Sequence, residues 1–363
     1  AMIGGYAQHG KTNESFICFE MMQNEGITPD AFILASVLKA CANIKDVEQG
    51  KRIHYEIVSR ALLVAKDDMV LGNALLDMYA KCGILKSALE VFEDLQVRNV
   101  VTWNALISGY TKNGLDNEAL ECFKLMQDEG ISPNGLSFSC ILKACGKTGS
   151  LEMGEGIYAK VKEQGLLRKD MVLGNSLVDM FVKCGRIGKA RDVFEQLPER
   201  DVVSWSSLLA GYAQMGHSKR VLKVFNRMRS EGIIPNLVTF LALMSSCNHN
   251  GLVNEGMMVF NDMSSFYCLA PTIEHYTCMI DLFARAGHFD KAIDMLQRIS
   301  FFDRLPLLLA LLGACCIWVN VDIGRWAFEE LMHLDSKCST AYVSMRNIYA
   351  TASMQEEAGC IEA

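Results

Sequence analysis

The stretch NVVTWNALISGYTKNG, Asn99 to Gly114, decides the fold because the chain repeats it. It returns as DVVSWSSLLAGYAQMG from Asp201 to Gly216, and a shortened copy, AMIGGYAQHG, opens the chain at Ala1. A second phrase, DMVLGNALLDMYAKCG from Asp68, comes back as DMVLGNSLVDMFVKCG from Asp170. Both recur at an offset of 102 residues. A third, SVLKACANI from Ser36, recurs as CILKACGKT from Cys140 at an offset of 104. Self-similarity at a fixed period predicts stacked units, each burying its apolar face only against its neighbours.

Within one copy the spacing predicts two helices. Trp103, Leu106, Ile107 and Tyr110 fall at i, i+3, i+4 and i+7, one helical face. Asn113-Gly114 supplies a turn, and a second stripe follows at Leu115, Ala119, Cys122, Phe123 and Met126. Gly130, with Pro133 beyond it, ends that helix. Helices this short do not persist alone in water, so stacking against neighbouring hairpins must hold them.

Pro29, Pro133 and Pro235 each stand one residue before a repeat ends, and Pro198 and Pro271 lie near two other ends. These joints divide the chain into units at 1–30 (truncated), 31–68, 69–99, 100–134, 135–170, 171–201, 202–236, 237–272 and 273–304, with 305–363 as a further helical extension. Lengths cycle through about 35, 36 and 31, unlike the constant period of about 34 of a tetratricopeptide array.

Composition narrows the class. Half of the 363 residues are hydrophobic, enough for a sizeable core. Fourteen cysteines with no C-x-x-C pair point to a reducing compartment and to thiols used as packing residues. The longest apolar run, Leu305 to Val319, is interrupted by Pro306 and Gly313 and falls short of a bilayer span, so a buried helix and no membrane is the expectation. The first residue is not Met and falls inside a repeat, so the chain is expected to be a piece lacking its N-terminus.

The phrase VTWNALISGYTKNG, followed by ALECFKLMQDEGISPN, resembles the pentatricopeptide repeat, and the cycle of lengths resembles its plant subclass of P, L and S motifs. LVTFLALMSSCNHNGLVNEG (from Leu237) and HYTCMIDLFARAGHFDKAIDML (from His275) look like the last L and S motifs. LLALLGACCIWVNVDIG (from Leu308) and NIYA (from Asn347) are similar to degenerate E-type extension motifs. The resemblance covers nearly the whole chain. It implies an all-α, right-handed α-solenoid of stacked antiparallel helix hairpins that binds single-stranded RNA sequence-specifically in plant mitochondria or chloroplasts, chiefly for cytidine-to-uridine editing.

Such repeats assign one base to each repeat through two or three side chains. In the family these are the fifth and last residues of each motif. Carried onto this chain they are Asn73 with Asn99, Asn104 with Asn134, Ser139 with Asp170, Asn175 with Asp201, and Ser206 with Asn236. An acceptor-only Asp favours uracil N3–H and guanine N1–H, whereas an Asn amide satisfies cytosine N3 or adenine N1. The expectation is a pyrimidine, with cytosine preferred, at the repeats starting at 69 and 100, uracil at 171 and adenine at 202; the same logic favours guanine at 135, an L motif, a type that reads bases weakly in the family. Leu241 with Thr272, and Thr277 with Arg304, depart from the pattern.

Position two of the family motif sandwiches the base, and here it holds Val70, Val101, Leu136, Val172 and Val203, which could equally be helix-start packing residues. Position thirteen holds Lys81, Lys112, Lys147, Lys183 and Arg285. These cations could follow phosphates or complement the helix dipole, and their recurrence across motif types favours phosphate.

The net charge of −7 argues against a non-specific nucleic-acid binder, which is usually basic. The acids are therefore expected on the face away from the RNA. No catalytic constellation is expected: His54-Tyr55-Glu56 matches only the H-x-E half of a zinc deaminase signature, and no phosphate loop is present. Cys315, Cys316, His333 and Cys338 match no zinc spacing, so neither metal nor cofactor is predicted. Editing chemistry would come from a partner deaminase, docked through the C-terminal extension, or from sequence beyond this chain. The alternatives are a protein-binding helical-repeat scaffold, or an inactive fragment. The scaffold would line its inner face with varied, larger apolar residues instead of Asn, Ser and Asp.

Overall fold

The computed structural model describes residues 2–60, 62, 68–300 and 303–360. Among the described residues there are 22 α-helices and no strand. They fall into two compact units, Ala1–Pro198 and Glu199–Ala363.

The first unit contains α1 (Met2–Gln8), α2 (Thr12–Asn24), α3 (Ala31–Ile44), α4 (Val47–Ser59), α5 (Asp68–Lys81), α6 (Leu85–Asp94), α7 (Val100–Lys112), α8 (Asp116–Asp128), α9 (Gly135–Thr148), α10 (Leu151–Glu163), α11 (Met171–Lys183) and α12 (Ile187–Gln196). Consecutive helices pair as hairpins. The odd-numbered helices pack on one another in series from α1 to α11, and each even-numbered helix up to α10 packs against its own partner and the odd helix that follows. Two helical layers result, the α-solenoid arrangement expected from the repeats.

The second unit repeats this plan with α13 (Val202–Gln214), α14 (Ser218–Ser230), α15 (Leu237–Asn250), α16 (Val253–Ser265), α17 (Ile273–Arg285), α18 (Phe289–Gln297), α19 (Leu305–Trp318), α20 (Val321–Leu334), α21 (Ser339–Thr351) and α22 (Gln355–Cys360). Its odd helices again pack in series, α13 to α15, α17, α19 and α21.

Helix α7 shows how one hairpin is built. Trp103, Leu106 and Ile107 are buried, and the Trp103 ring meets Phe92 of the preceding hairpin edge-on, with centroids 4.7 Å apart. Gly114, at φ +78, lets the chain turn left-handed so that Leu115 N–H reaches back to Tyr110 O at 3.0 Å. The second stripe is buried at Ala119, Cys122, Phe123 and Met126. Leu115 departs from expectation: it stands at the N-cap of α8 and is exposed, because the helical face begins only after it. Burying a side chain such as Ile107 contributes about 1.5–3 kcal/mol, which these short helices need from their neighbours.

The apolar run from Leu305 forms α19, with Leu307, Leu308, Leu311 and Leu312 buried. No helix of the described residues is long and apolar enough to cross a membrane. Cysteines of the described residues are free thiols, and burial pushes those of Cys41, Cys145 and Cys315 up to about 12.

Candidate nucleic-acid interface

Each odd-numbered helix from α7 to α15 begins in the same way. Asn99, Asn134, Asp170, Asp201 and Asn236 are N-cap residues in extended backbone, and a side-chain oxygen of each accepts from backbone N–H groups of the first turn. Capping fixes which way these side chains face, since one oxygen must point at the helix start. Asn99, Asn134 and Asn236 close full capping boxes with Thr102, Ser137 and Thr239. The sequence reading missed this role, although N-x-x-[ST] before an apolar run signals it.

Two residues past each of these caps, and at matching positions of α3 and α5, stands an apolar side chain in solvent. Phe32, Val70, Val101, Leu136 and Val172 are 54–63 % exposed in the first unit, and Val203 and Val238 are 50 and 54 % exposed in the second. They are not buried in the core at the helix start. Phe32 and Val238 were not singled out from sequence, yet they follow Asp30 and Asn236 at the same spacing. The row breaks at exposed Glu274, whose carboxyl the Thr272 hydroxyl holds below the ordinary glutamate value.

Three residues further on, the polar side chains turn inward. Asn104, Ser139, Asn175 and Ser206 are buried, while Asn73 is half-buried. Asn104 Nδ2 donates to Asn134 Oδ1 at 3.1 Å, and Ser137 Oγ donates to Asn104 Oδ1 at 2.6 Å. In the second unit Ser206 Oγ donates to Asn236 Oδ1 at 3.3 Å and lies 2.8 Å from Thr239 Oγ1. Asp170 Oδ1 caps α11 through Leu173 N–H at 3.0 Å. Its other oxygen stands so close to Gly135 that a Cβ there would lie 2.5 Å away.

Within the first unit some of these positions share one groove of about 540 Å³, and Asn99, Ser139, Asp170, Val172 and Asn175 are not among its lining residues. Phe32, Val70, Val101 and Leu136 line it together with Asn73, Asn104 and Asn134. All its lining residues come from the odd-numbered helices or their caps. Acids of the other layer, among them Glu90, Glu93, Glu118, Glu121 and Asp128, are exposed on helices that contribute nothing to the groove. In the second unit Leu241, Thr277 and Asp281 line a separate groove of about 600 Å³ where no Asn or Ser stands at the fifth position.

The recurring cations are not idle. Lys81, Lys183 and Arg285 pair one turn back with Asp77, Asp179 and Asp281 at 2.6, 2.7 and 2.8 Å. Lys147 reaches Asp116 of the preceding hairpin at 3.4 Å, and Lys112 is exposed. The pairs of Lys81 and Lys183 are partly exposed and contribute about 0–1 kcal/mol, so a phosphate could displace either carboxylate at little cost in stability, whereas Asp116 is buried.

The residues considered for chemistry are not gathered. His54 is half-buried, its Nδ1 is 2.8 Å from Tyr79 Oη, and burial holds its pKa below the ordinary histidine value. Among the described residues no group of three or more His, Cys, Asp or Glu is placed to hold a metal ion.

Comparison with known proteins agrees with this architecture. The family described as PPR repeat matches residues 1–27, 73–100, 136–166, 175–202, 238–268 and 274–300, and the PPR repeat family matches 98–147 and 200–249. A mitochondrial pentatricopeptide repeat-containing protein of Arabidopsis thaliana is 37 % identical over 366 residues, covering 99 % of this chain and 64 % of its own length. A chloroplastic/mitochondrial one from the same plant is 34 % identical over 369 residues, covering 97 % of this chain and 56 % of its own. The chain thus spans less than two thirds of either relative. Among solved structures, the pentatricopeptide repeat protein PPR10 in complex with an 18-nt psaJ RNA element superposes with a TM-score of 0.74 over 99 % of this chain and 58 % of that one, at 19 % identity, a likeness of fold.

Proposed function

The chain belongs to the pentatricopeptide repeat family, and on that premise we propose that its groove reads single-stranded RNA, one base to each hairpin. One observation carries the reading. Solvent-exposed apolar side chains at Val70, Val101 and Leu136 share a groove with the inward-turned amides of Asn73 and Asn104. An exposed apolar row is unfavourable unless something flat and apolar covers it, and a nucleobase face with a polar edge matches both kinds of residue.

The caps add a reason for base choice. In Asn134 and Asn236 the oxygen is occupied by backbone N–H groups, so the end left for a base is the N–H₂ donor. Cytosine N3 and adenine N1 accept from it. In Asp170 both ends are acceptors, suited to guanine N1–H or uracil N3–H. With the sandwiching residues Val70, Val101, Leu136, Val172 and Val203, and phosphates following Lys81, Lys112, Lys147, Lys183 and Arg285, the chain would guide cytidine-to-uridine editing of an organellar transcript. The P, L and S succession of the repeats and their degenerate extension from 305 onward support that assignment. The relatives named mitochondrial or chloroplastic/mitochondrial support the compartment. The deaminase would be a partner or a separate part of the protein.

The test is binding of the purified chain to a single-stranded RNA carrying the expected bases in register, with single swaps. Asn104→Thr should move that hairpin's preference from pyrimidine toward adenine by about 1–3 kcal/mol, the worth of a good side-chain-to-base pairing. Equal affinity for matched and scrambled RNA at moderate salt overturns the reading.

A further inference from the structure

The hairpins beginning at 69 and 100 carry the same pair of side chains, Asn73 with Asn99 and Asn104 with Asn134. Their amides are held differently. The Ser137 backbone N–H donates to Asn134 at 3.1 Å, which identifies the accepting atom as oxygen. The Asn104 atom 3.1 Å from that oxygen must then be Nδ2, and the other end, Oδ1, must face Ser137 Oγ at 2.6 Å. Ser137 Oγ accepts from Asn134 N–H at 3.1 Å, and of the two acceptors within reach of its own proton, Asn104 Oδ1 at 2.6 Å is nearer than Asn134 Oδ1 at 3.1 Å. Turning the Asn104 amide over would bring two oxygens face to face, so one orientation is selected.

In the hairpin before it the equivalent hydroxyl makes the same two cap contacts that Ser137 makes with Asn134, but it does not reach the preceding amide oxygen. Thr102 Oγ1 accepts from Asn99 N–H at 3.3 Å and lies 3.2 Å from Asn99 Oδ1, while Asn73 Oδ1 is buried with no hydrogen-bond partner. Thr102 therefore does not select the orientation of Asn73.

We propose that a hydroxyl three residues past a cap is a positioning residue for base reading where it reaches the inward side chain of the preceding hairpin: Ser137 holds Asn104, and Thr239 holds Ser206, in the orientation that meets the base. The inference rests on the proposed function and deepens it, because two hairpins with identical letters become unequal readers. With its oxygen pinned inward, the Asn104–Asn134 pair offers the groove only N–H, which cytosine N3 accepts and uracil N3–H opposes. An unpinned Asn73 amide can turn its oxygen to uracil and tolerate both.

The experiment measures affinity of the full chain for single-stranded RNA oligomers with cytosine or uracil opposite each of the two hairpins. The variants are Ser137→Ala, Ser137→Thr and Thr102→Ala. The unaltered chain should prefer cytosine at the hairpin from 100 by about fivefold or more, and by less at the hairpin from 69. Ser137→Ala should bring the first ratio down to the second, and Ser137→Thr should restore it. Thr102→Ala removes the same kind of buried capping hydroxyl, so it should lower the unfolding midpoint and leave the ratio at 69 unchanged. An unchanged ratio at 100 in Ser137→Ala, or loss of selectivity at 69 in Thr102→Ala, overturns the positioning role and leaves RNA reading standing. No cytosine preference at either hairpin in the unaltered chain overturns both.

Discussion

Asn134 Oδ1 lies 3.1 Å from Asn104 Nδ2, thirty positions earlier, so the residue that caps α9 also holds the inward amide of the previous hairpin. Stability and base choice therefore meet in one side chain and can be separated by substitution. Asn134→Asp keeps the capping oxygen and replaces the free N–H₂ end with an acceptor. Its unfolding midpoint should stay close to that of the unaltered chain, while preference moves from cytosine toward uracil in a binding titration. Asn134→Ala removes both and should cost about 1 kcal/mol of stability.

Much of this was readable from residues alone. The 3.6-residue spacing of Trp103, Leu106 and Ile107 marked the buried face of α7, and the glycines and prolines marked turns. Periodicity carries that information because burial acts on every turn of a helix. The cap was legible in principle, since Asn99 and Thr102 are three residues apart, but the same letters fit base recognition and drew attention away from it. What sequence could not give is the meeting of Ser137 with Asn104, which depends on how far one hairpin is rotated on the next. The ion pair of Lys81 with Asp77 is local and was readable at i,i+4, whereas that of Lys147 with Asp116 again needed the stacking.

Stacking also sets how closely the odd-numbered helices approach. A Cβ added at Gly109 would lie 2.6 Å from Ala80 Cβ and 3.5 Å from its Cα, leaving nothing flexible to move aside. Gly109→Ala should destabilise by about 1–3 kcal/mol through overpacking, outweighing the ~1 kcal/mol gain in helix propensity. At Gly50 the obstacle is the end of the Met78 side chain, 2.5 Å from the added Cβ. Methionine adapts, so Gly50→Ala should be nearer neutral, and chemical denaturation of both variants tests the contrast.

Thiol reactivity should follow burial. Cys268 is exposed, whereas Cys41, Cys145 and Cys315 are buried with their thiols pushed up to about 12. Alkylation of the native chain near pH 8, read by peptide mass mapping, should label Cys268 first and the three buried thiols only after denaturant is added.

His54 gives a pH signature. Burial lowers its pKa from the usual 6.5, against the opposing pull of Asp94 and Glu90, and its Nδ1 lies 2.8 Å from Tyr79 Oη. The unfolded chain then takes up the proton more readily than the folded one, so stability rises with pH across this range and falls as pH drops below about 6.5. The fall in thermal midpoint from pH 7.5 to pH 5.5 should be smaller in His54→Gln than in the unaltered chain. An equal fall in both would assign the dependence to other groups.

The paired cations allow phosphate contact to be told from a purely structural role. Lys183 lies 2.7 Å from Asp179 one turn before it, and both are substantially exposed, so Lys183→Gln should change stability by less than about 0.5 kcal/mol. If Lys183 leaves that carboxylate for an RNA phosphate, the same substitution should weaken binding equally for every base sequence. It should also lower the slope of log affinity against log salt by about 0.7, one phosphate's worth of released counterion on a single strand. Asp179→Asn removes the competitor and should strengthen binding most at low salt. A salt slope identical in all three chains would confine Lys183 to its ion pair and leave phosphate contact to the other cations.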